Sequence, residues 1–267
     1  MKTTRFIQVE WRFLLFGMIM AFWSSLGQTF FISLFSDDIR GALGLSHGDF
    51  GTYYAIATTA SAISLLWLGK LADTMRLEKL ALLTMVSLCL AAIFFSQIQS
   101  LIMLVIGLYL LRMFGQGMMT HVYSTAMARR YVAARGRAIS IAQLGHTISE
   151  SVGPAGVVAL HAVFDWRTIW IILPASALIL VAPFLRQLTQ RTALQDGEGI
   201  GGIQATEQTQ DNANQTSTSD HWRRRDVLAD HRFWLAILWL VAVPSFVLTG
   251  LLFHQLFLAN AKGVALS

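Results

Sequence analysis

Over 267 residues, 55% of the side chains are hydrophobic and only 13% are charged, about half the charged fraction of a soluble domain. The apolar residues fall in long blocks, not short amphipathic repeats, so the composition excludes a soluble enzyme and points to an integral membrane protein. The net charge of +5 comes from basic residues gathered at the ends of those blocks with no aromatic–basic surface beside them, which excludes a nucleic-acid binder.

The first block, about 13–35, carries no charge from Phe13 to Phe35. It is long enough to cross a hydrocarbon layer of about 30 Å, which needs about 20 helical residues. Lys2, Arg5 and Arg12 precede it, but the run is too long for a signal peptide, and Ser36-Asp37-Asp38 stands where a small-residue cleavage site would be. Ser24, Ser25, Gln28 and Thr29 form a polar patch inside it. The second block, about 50–69, ends at Gly69-Lys70-Leu71-Ala72-Asp73, a short basic loop that continues to Arg76 and Lys79. A glycine and small side chains there let a helix end approach a neighbour. Asp73 can accept from a helix N-terminus or pair with the bases. The third block, about 80–98, holds the single cysteine, Cys89, which permits no disulfide within the chain and reads as packing.

The fourth block, about 101–127, contains Arg112, with Gln116, Thr120, His121 and Tyr123 after it. An arginine at membrane depth is costly and faces a cavity or a partner; its planar fork suits a carboxylate or a phosphate. The fifth block, about 138–161, holds Glu150, the one acid inside the predicted spans, and His146 four residues before it. Both project from one helix face, which makes them the candidates for exchanging a proton within the membrane. The competing reading is an Arg112–Glu150 or Glu150–His146 pair that only fixes packing. Gly145, Ser149 and Gly153 recur at four-residue steps and permit close helix contact, and Pro154 predicts a kink. The sixth block is about 167–186. The stretch 187–232 is rich in Gly, Gln, Thr, Asn and Ser and reads as a flexible linker, closed by Trp222-Arg223-Arg224-Arg225. A seventh block, about 233–258, leaves a tail at 259–267. His121, His146 and His254 lie on three spans without metal-ligand spacing, so neither a metal nor another cofactor is expected. Most of the twenty Lys and Arg fall at the ends that share a side with the N-terminus, which places that terminus in the cytoplasm. Trp11 is among the tryptophans at predicted interfaces.

Several of these segments together resemble the major facilitator superfamily of transporters. Gly69-Lys70-Leu71-Ala72-Asp73 is similar to the first part of its loop signature, with Thr74, Arg76 and Leu77 replacing the usual Arg, Gly and Arg. Arg112-Met113-Phe114-Gly115-Gln116-Gly117 resembles its arginine-plus-glycines pattern in the fourth span. Arg135-Gly136-Arg137-Ala138 resembles its basic loop between spans four and five, and Asp165-Trp166-Arg167 the start of span six. The resemblance implies an all-α membrane fold: a six-helix N-terminal bundle, a cytoplasmic linker and a seventh helix that opens a second half. It also implies a protein of roughly 400 residues, two halves around a midplane site, with the second half missing here.

The expected function is secondary active transport of a small organic solute by alternating access in the plasma (inner) membrane, coupled to an ion or to protons. Arg112 points to an anionic solute, and the partners are lipid and solute. The resemblance places spans one and four along the central cavity, which makes Gln28, Gln116, Thr120 and Tyr123 contact candidates beside Arg112, His146 and Glu150. Gly69, Leu71, Asp73, Arg76 and Lys79 would serve the cytoplasmic gate. A seven-span receptor or sensor, or a membrane assembly protein without transport, is the alternative.

Overall fold

Helices run through all seven predicted blocks of the computed structural model, which describes residues 3–131, 133–189 and 229–261. The linker from 190 to 228 with its Arg223–Arg225 cluster, the end of the tail and the side chain of Asp73 lie outside the described residues. Among the described residues all regular structure is helical. Two units are described separately, Met1–Thr206 and Glu207–Ser267.

In the first unit, α1 (Thr3–Trp23) gives way to a 3-10 turn (Ser24–Gly27), then to α2 (Thr29–Ser33) and α3 (Ser36–Leu43). Gly44, at φ 65°, ends α3 in the left-handed conformation that glycine adopts without strain. The chain turns into α4 (His47–Leu68) through a capping box. Ser46 Oγ accepts from the Asp49 amide at 3.1 Å, and the Asp49 carboxylate accepts from the Ser46 amide at 3.2 Å. These bonds hold the Asp49 carboxyl below its ordinary pKa. A short α5 (Leu71–Thr74) precedes α6 (Leu77–Ser96), and Ser100 caps α7 (Leu101–Leu111) by accepting from the Met103 amide. The fourth block is then π-helical over Arg112–Met119 before α8 (Thr120–Arg130), and α9 (Arg135–His161) and α10 (Trp166–Thr189) close the bundle.

Among the described residues five helical stretches are long and apolar enough to cross a membrane: Arg5–Ser33, Leu77–Ser96, Leu101–Arg130, Trp166–Thr189 and His231–Phe253. The sequence predicts seven, and the two others differ in composition, not in length. α4 has 22 residues and α9 has 27, but threonines and serines in the first, and Gln143, His146, Thr147 and Glu150 in the second, dilute their apolar faces.

The main packing seams are α1 against α9, and α6 against α10. In the second seam Trp170 stands edge-on to Phe95 at 4.9 Å between ring centres and lies 5.2 Å from Phe35. These apolar aromatic contacts tie α10 to α6 and to the chain after α2. In the first seam, small residues of α9 let the backbones meet. A Cβ on Gly145 would lie 1.9 Å from the Met18 carbonyl oxygen, and Ser149, one turn on, is buried. Gly153 is looser, with the Phe30 ring edge 3.6 Å from a would-be Cβ. α9 continues through Pro154 to His161.

At the end of the bundle that carries the N-terminus, Glu10 of α1 is wholly buried. Its Oε2 accepts from Arg130 Nε at 3.1 Å and from the Tyr131 hydroxyl at 2.6 Å. The Arg130 guanidinium also sits 4.5 Å over the Phe13 ring. Burial, reinforced by the Glu10 carboxylate, pushes the Tyr131 phenol far above its ordinary pKa. Glu10 precedes the predicted spans, since α1 begins ten residues before the first of them, and it is buried in the bundle. Glu10→Ala leaves a buried guanidinium without its counter-charge and should lower the unfolding free energy in detergent by about 3–5 kcal/mol. The double variant Glu10→Ala with Arg130→Met removes both charges and should recover most of that loss, as read from denaturation midpoints.

The second unit is described by its own helix: α11 (His231–Ile237), a π-helical turn (Leu238–Ala242) and α12 (Val243–Ala261).

Candidate functional site

The site is organised by the interruption of the first span. Ser24-Ser25-Leu26-Gly27 is a poor continuation for a helix: the Ser24 hydroxyl donates back to the Ala21 carbonyl at 2.7 Å, a competing bond that loosens helical backbone. Gly27 adds no side chain, so the fourth span can lie directly against it. A Cβ on Gly27 would fall 2.1 Å from the Leu111 carbonyl oxygen, and one on Gly115 would fall 2.6 Å from the Gly27 Cα. The two interruptions therefore cross backbone to backbone, the 3-10 turn of the first span on the π-helical run of the fourth. Broken helices and π turns of this kind leave carbonyls to be satisfied by side chains and recur at functional sites.

Arg112, only 8% exposed, satisfies one of them here. Its terminal nitrogen donates to the Gly27 carbonyl at 3.3 Å and to Thr29 Oγ1 at 3.1 Å. The guanidinium carbon lies 5.2 Å from the centre of the Tyr54 ring, within cation–π range, and the Tyr54 hydroxyl is 2.8 Å from Thr29 Oγ1. All these partners are neutral. Among the described residues no carboxylate pairs with Arg112, and its Nε, like Gln116 Oε1 one turn further on, is buried without a hydrogen bond. The Arg112–Glu150 pair considered from sequence is not formed; Glu150 is exposed on α9.

From the other side, α9 brings His146 to the same interruption. Its Nδ1 is 3.4 Å from Ser25 Oγ and its ring is 5.7 Å from the Phe30 ring. Four spans thus meet at residues 24–30: the first itself, the second through Tyr54, the fourth through Arg112, the fifth through His146. Gln28 and Thr120 are half-buried, and Tyr123 is buried in α8, with its hydroxyl towards Gln143 of α9.

The uncovered part of α9 has two characters. Gln143, His146, Thr147 and Glu150 share one arc of the helix, while Leu144, Ile148 and Val152, each about half exposed, share the neighbouring arc. The apolar arc suits acyl chains and the polar arc does not, so a single lipid environment cannot serve both.

The basic loop is held by the fourth span. His121 Nε2 donates to the Gly69 carbonyl at 2.9 Å, and Arg129 donates to the Ala72 carbonyl at 2.8 Å. His121, on the fourth span with Gln116 and Thr120, therefore holds the loop. Leu71 opens α5, and Arg76 and Lys79 are exposed. Tyr54 was missed in the sequence; its signal was an aromatic pair, Tyr53-Tyr54, inside an uncharged span. The Glu10–Arg130–Tyr131 cluster was missed as well, since Glu10 precedes the uncharged run.

Residues 17–267 match the family model of the Major Facilitator Superfamily. The fold is similar to that of a bacterial homologue of the human lysosomal transporter Spinster, solved in an inward-facing, unoccupied conformation, with a TM-score of 0.60. The two sequences are 16% identical, and the likeness covers 99% of this chain and 58% of that one, so it speaks for the fold alone. No curated protein matches. The helical fold, the apolar helices and the family match over nearly the whole chain make this an integral membrane protein of the Major Facilitator Superfamily of transporters.

Proposed function

We propose that this chain supplies the first six spans and the seventh helix of a secondary active transporter that carries a small organic anion by alternating access. The observation that carries the reading is Arg112: a buried arginine whose hydrogen bonds go to a carbonyl and a hydroxyl and whose charge meets no acid among the described residues. Holding an uncompensated cation out of water costs several kcal/mol, and an anionic ligand removes much of that cost. His146 and Glu150, one turn apart on the polar arc of α9, are the proposed pair through which proton movement couples to that anion. The polar arc itself supports a water-filled cavity beside α9, closed on its far side by a second half that alternating access requires. The N-terminus and the Gly69–Lys79 loop lie in the cytoplasm on this reading, with the protein in the plasma membrane.

The test compares uptake of charged and uncharged forms of the same solute in proteoliposomes containing the full-length protein. Small carboxylates should be taken up and their primary amides should not. Equal uptake of the amides would sink the anion reading while leaving transport itself standing.

A further inference from the structure

A groove of about 700 Å³ follows the seam of α1 and α10, away from the Arg112 site and unused by it. Its apolar stretch is lined by Leu15 and Ile19 of α1 and by Leu180, Val181 and Phe184 of α10; its other end is formed by Trp11, Arg12 and Gln187. Leu180 is 63% exposed and Phe184 52%, so in a membrane protein this stretch of seam faces acyl chains. From Arg12 to Ile19 the helix rises about 10 Å, which sets a polar, cationic end above an apolar trough.

Among the described residues the charges around that end are of one sign. The Arg12 guanidinium lies 5.5 Å from the Trp11 ring centre and has no ion pair among the described residues. Arg5, two turns earlier on the same side of α1, and Arg186, beside Gln187, are both exposed. Glu10 is turned inward onto Arg130 and Tyr131, and among the described residues no carboxylate lines the groove. An amphipathic tryptophan beside an arginine is the combination that sits at headgroup depth, and basic pockets between spans hold anionic headgroups.

We infer that this groove binds one anionic phospholipid, its phosphate on Arg12 and an acyl chain between α1 and α10. The inference rests on the membrane fold and not on the transport reading, so the two can fail separately.

The experiment is native mass spectrometry of the 267-residue chain in mild detergent with equal amounts of phosphatidylglycerol and phosphatidylcholine. The wild type should retain phosphatidylglycerol in preference. Arg12→Gln should lower that adduct about fivefold, the worth of one basic residue at a membrane surface, and leave phosphatidylcholine unchanged. Arg12→Lys should keep most of the preference, and Leu15→Trp, which fills the trough, should remove both lipids. A lipid ratio that Arg12→Gln does not move, or adducts that survive Leu15→Trp, overturns the inference. Occupancy in a bilayer is read from quenching of Trp11 fluorescence, taken as wild type minus Trp11→Phe, in phosphatidylcholine vesicles doped with brominated lipid. Stronger quenching by brominated phosphatidylglycerol than by brominated phosphatidylcholine supports the site. Equal quenching means lipid without headgroup choice, and no quenching by either means that protein, such as a second copy of the chain, covers the groove; both contradict it.

Discussion

Arg112→Ala is expected to lower uptake of the organic anion at least about 30-fold, the lower end of the 2–5 kcal/mol that follows when one partner of a buried, hydrogen-bonded charge pair is truncated. The substitution has a structural side as well. It strands the Gly27 carbonyl and removes a bond to Thr29, and an unsatisfied buried acceptor costs about 1–3 kcal/mol. Melting in detergent therefore has to be measured alongside. Arg112→Lys separates the two effects: it keeps the charge but offers no planar fork to reach Gly27, Thr29 and a ligand together. An anion contact predicts that Lys restores a measurable part of uptake, at weaker apparent affinity. If Lys and Ala lose uptake equally, and both only in step with lost folded protein, Arg112 is a helix clamp and not a substrate contact.

The second large effect belongs to the α1–α9 seam. Gly145→Ala puts a methyl group where the Met18 carbonyl oxygen, carbon and Cα already stand, at 1.9, 2.7 and 3.0 Å. All three are backbone atoms, so no side chain can swing aside and the helices must separate. Overpacking of this kind costs about 1–3 kcal/mol and occasionally more. The same seam carries His146 one residue on, so its bond to Ser25 should be lost with the spacing. Gly153→Ala, eight residues along the same helix, meets only the Phe30 ring edge at ordinary contact distance. It should leave the melting point unchanged or raise it slightly, since alanine favours helix by about 0.5–1 kcal/mol over glycine. Equal stability of the two alanine variants would contradict the described packing.

The contrast between those glycines shows how far the sequence could be read. The apolar blocks located the helices because a hydrocarbon core demands length and internal backbone pairing, and both are written locally. The four-residue spacing of Gly145, Ser149 and Gly153 announced a close contact, but not which of the three backbones would be touched. The site itself was legible residue by residue, through Arg112, His146 and the Ser24–Thr29 patch, yet its geometry was not. The first block reads as one helix, and the close crossing of its break at Ser24–Gly27 by Gly115 of the fourth span is not written in either segment alone. Arg112 meets Gly27 across 85 positions and Arg130 meets Glu10 across 120, distances at which no local pattern speaks. The position of Glu150 within a span does not say which arc of α9 is covered; the structure puts that acid on the exposed arc.

We propose that Arg112, which pairs with no acid among the described residues, recognises negative charge at the crossing of two interrupted helices. The measurement that meets it most directly is uptake by the full-length protein in proteoliposomes, with each carboxylate matched to its own primary amide. The account predicts uptake of the carboxylate, competition by other small carboxylates, and none by the amide. Uptake of carboxylate and amide at the same rate would contradict it.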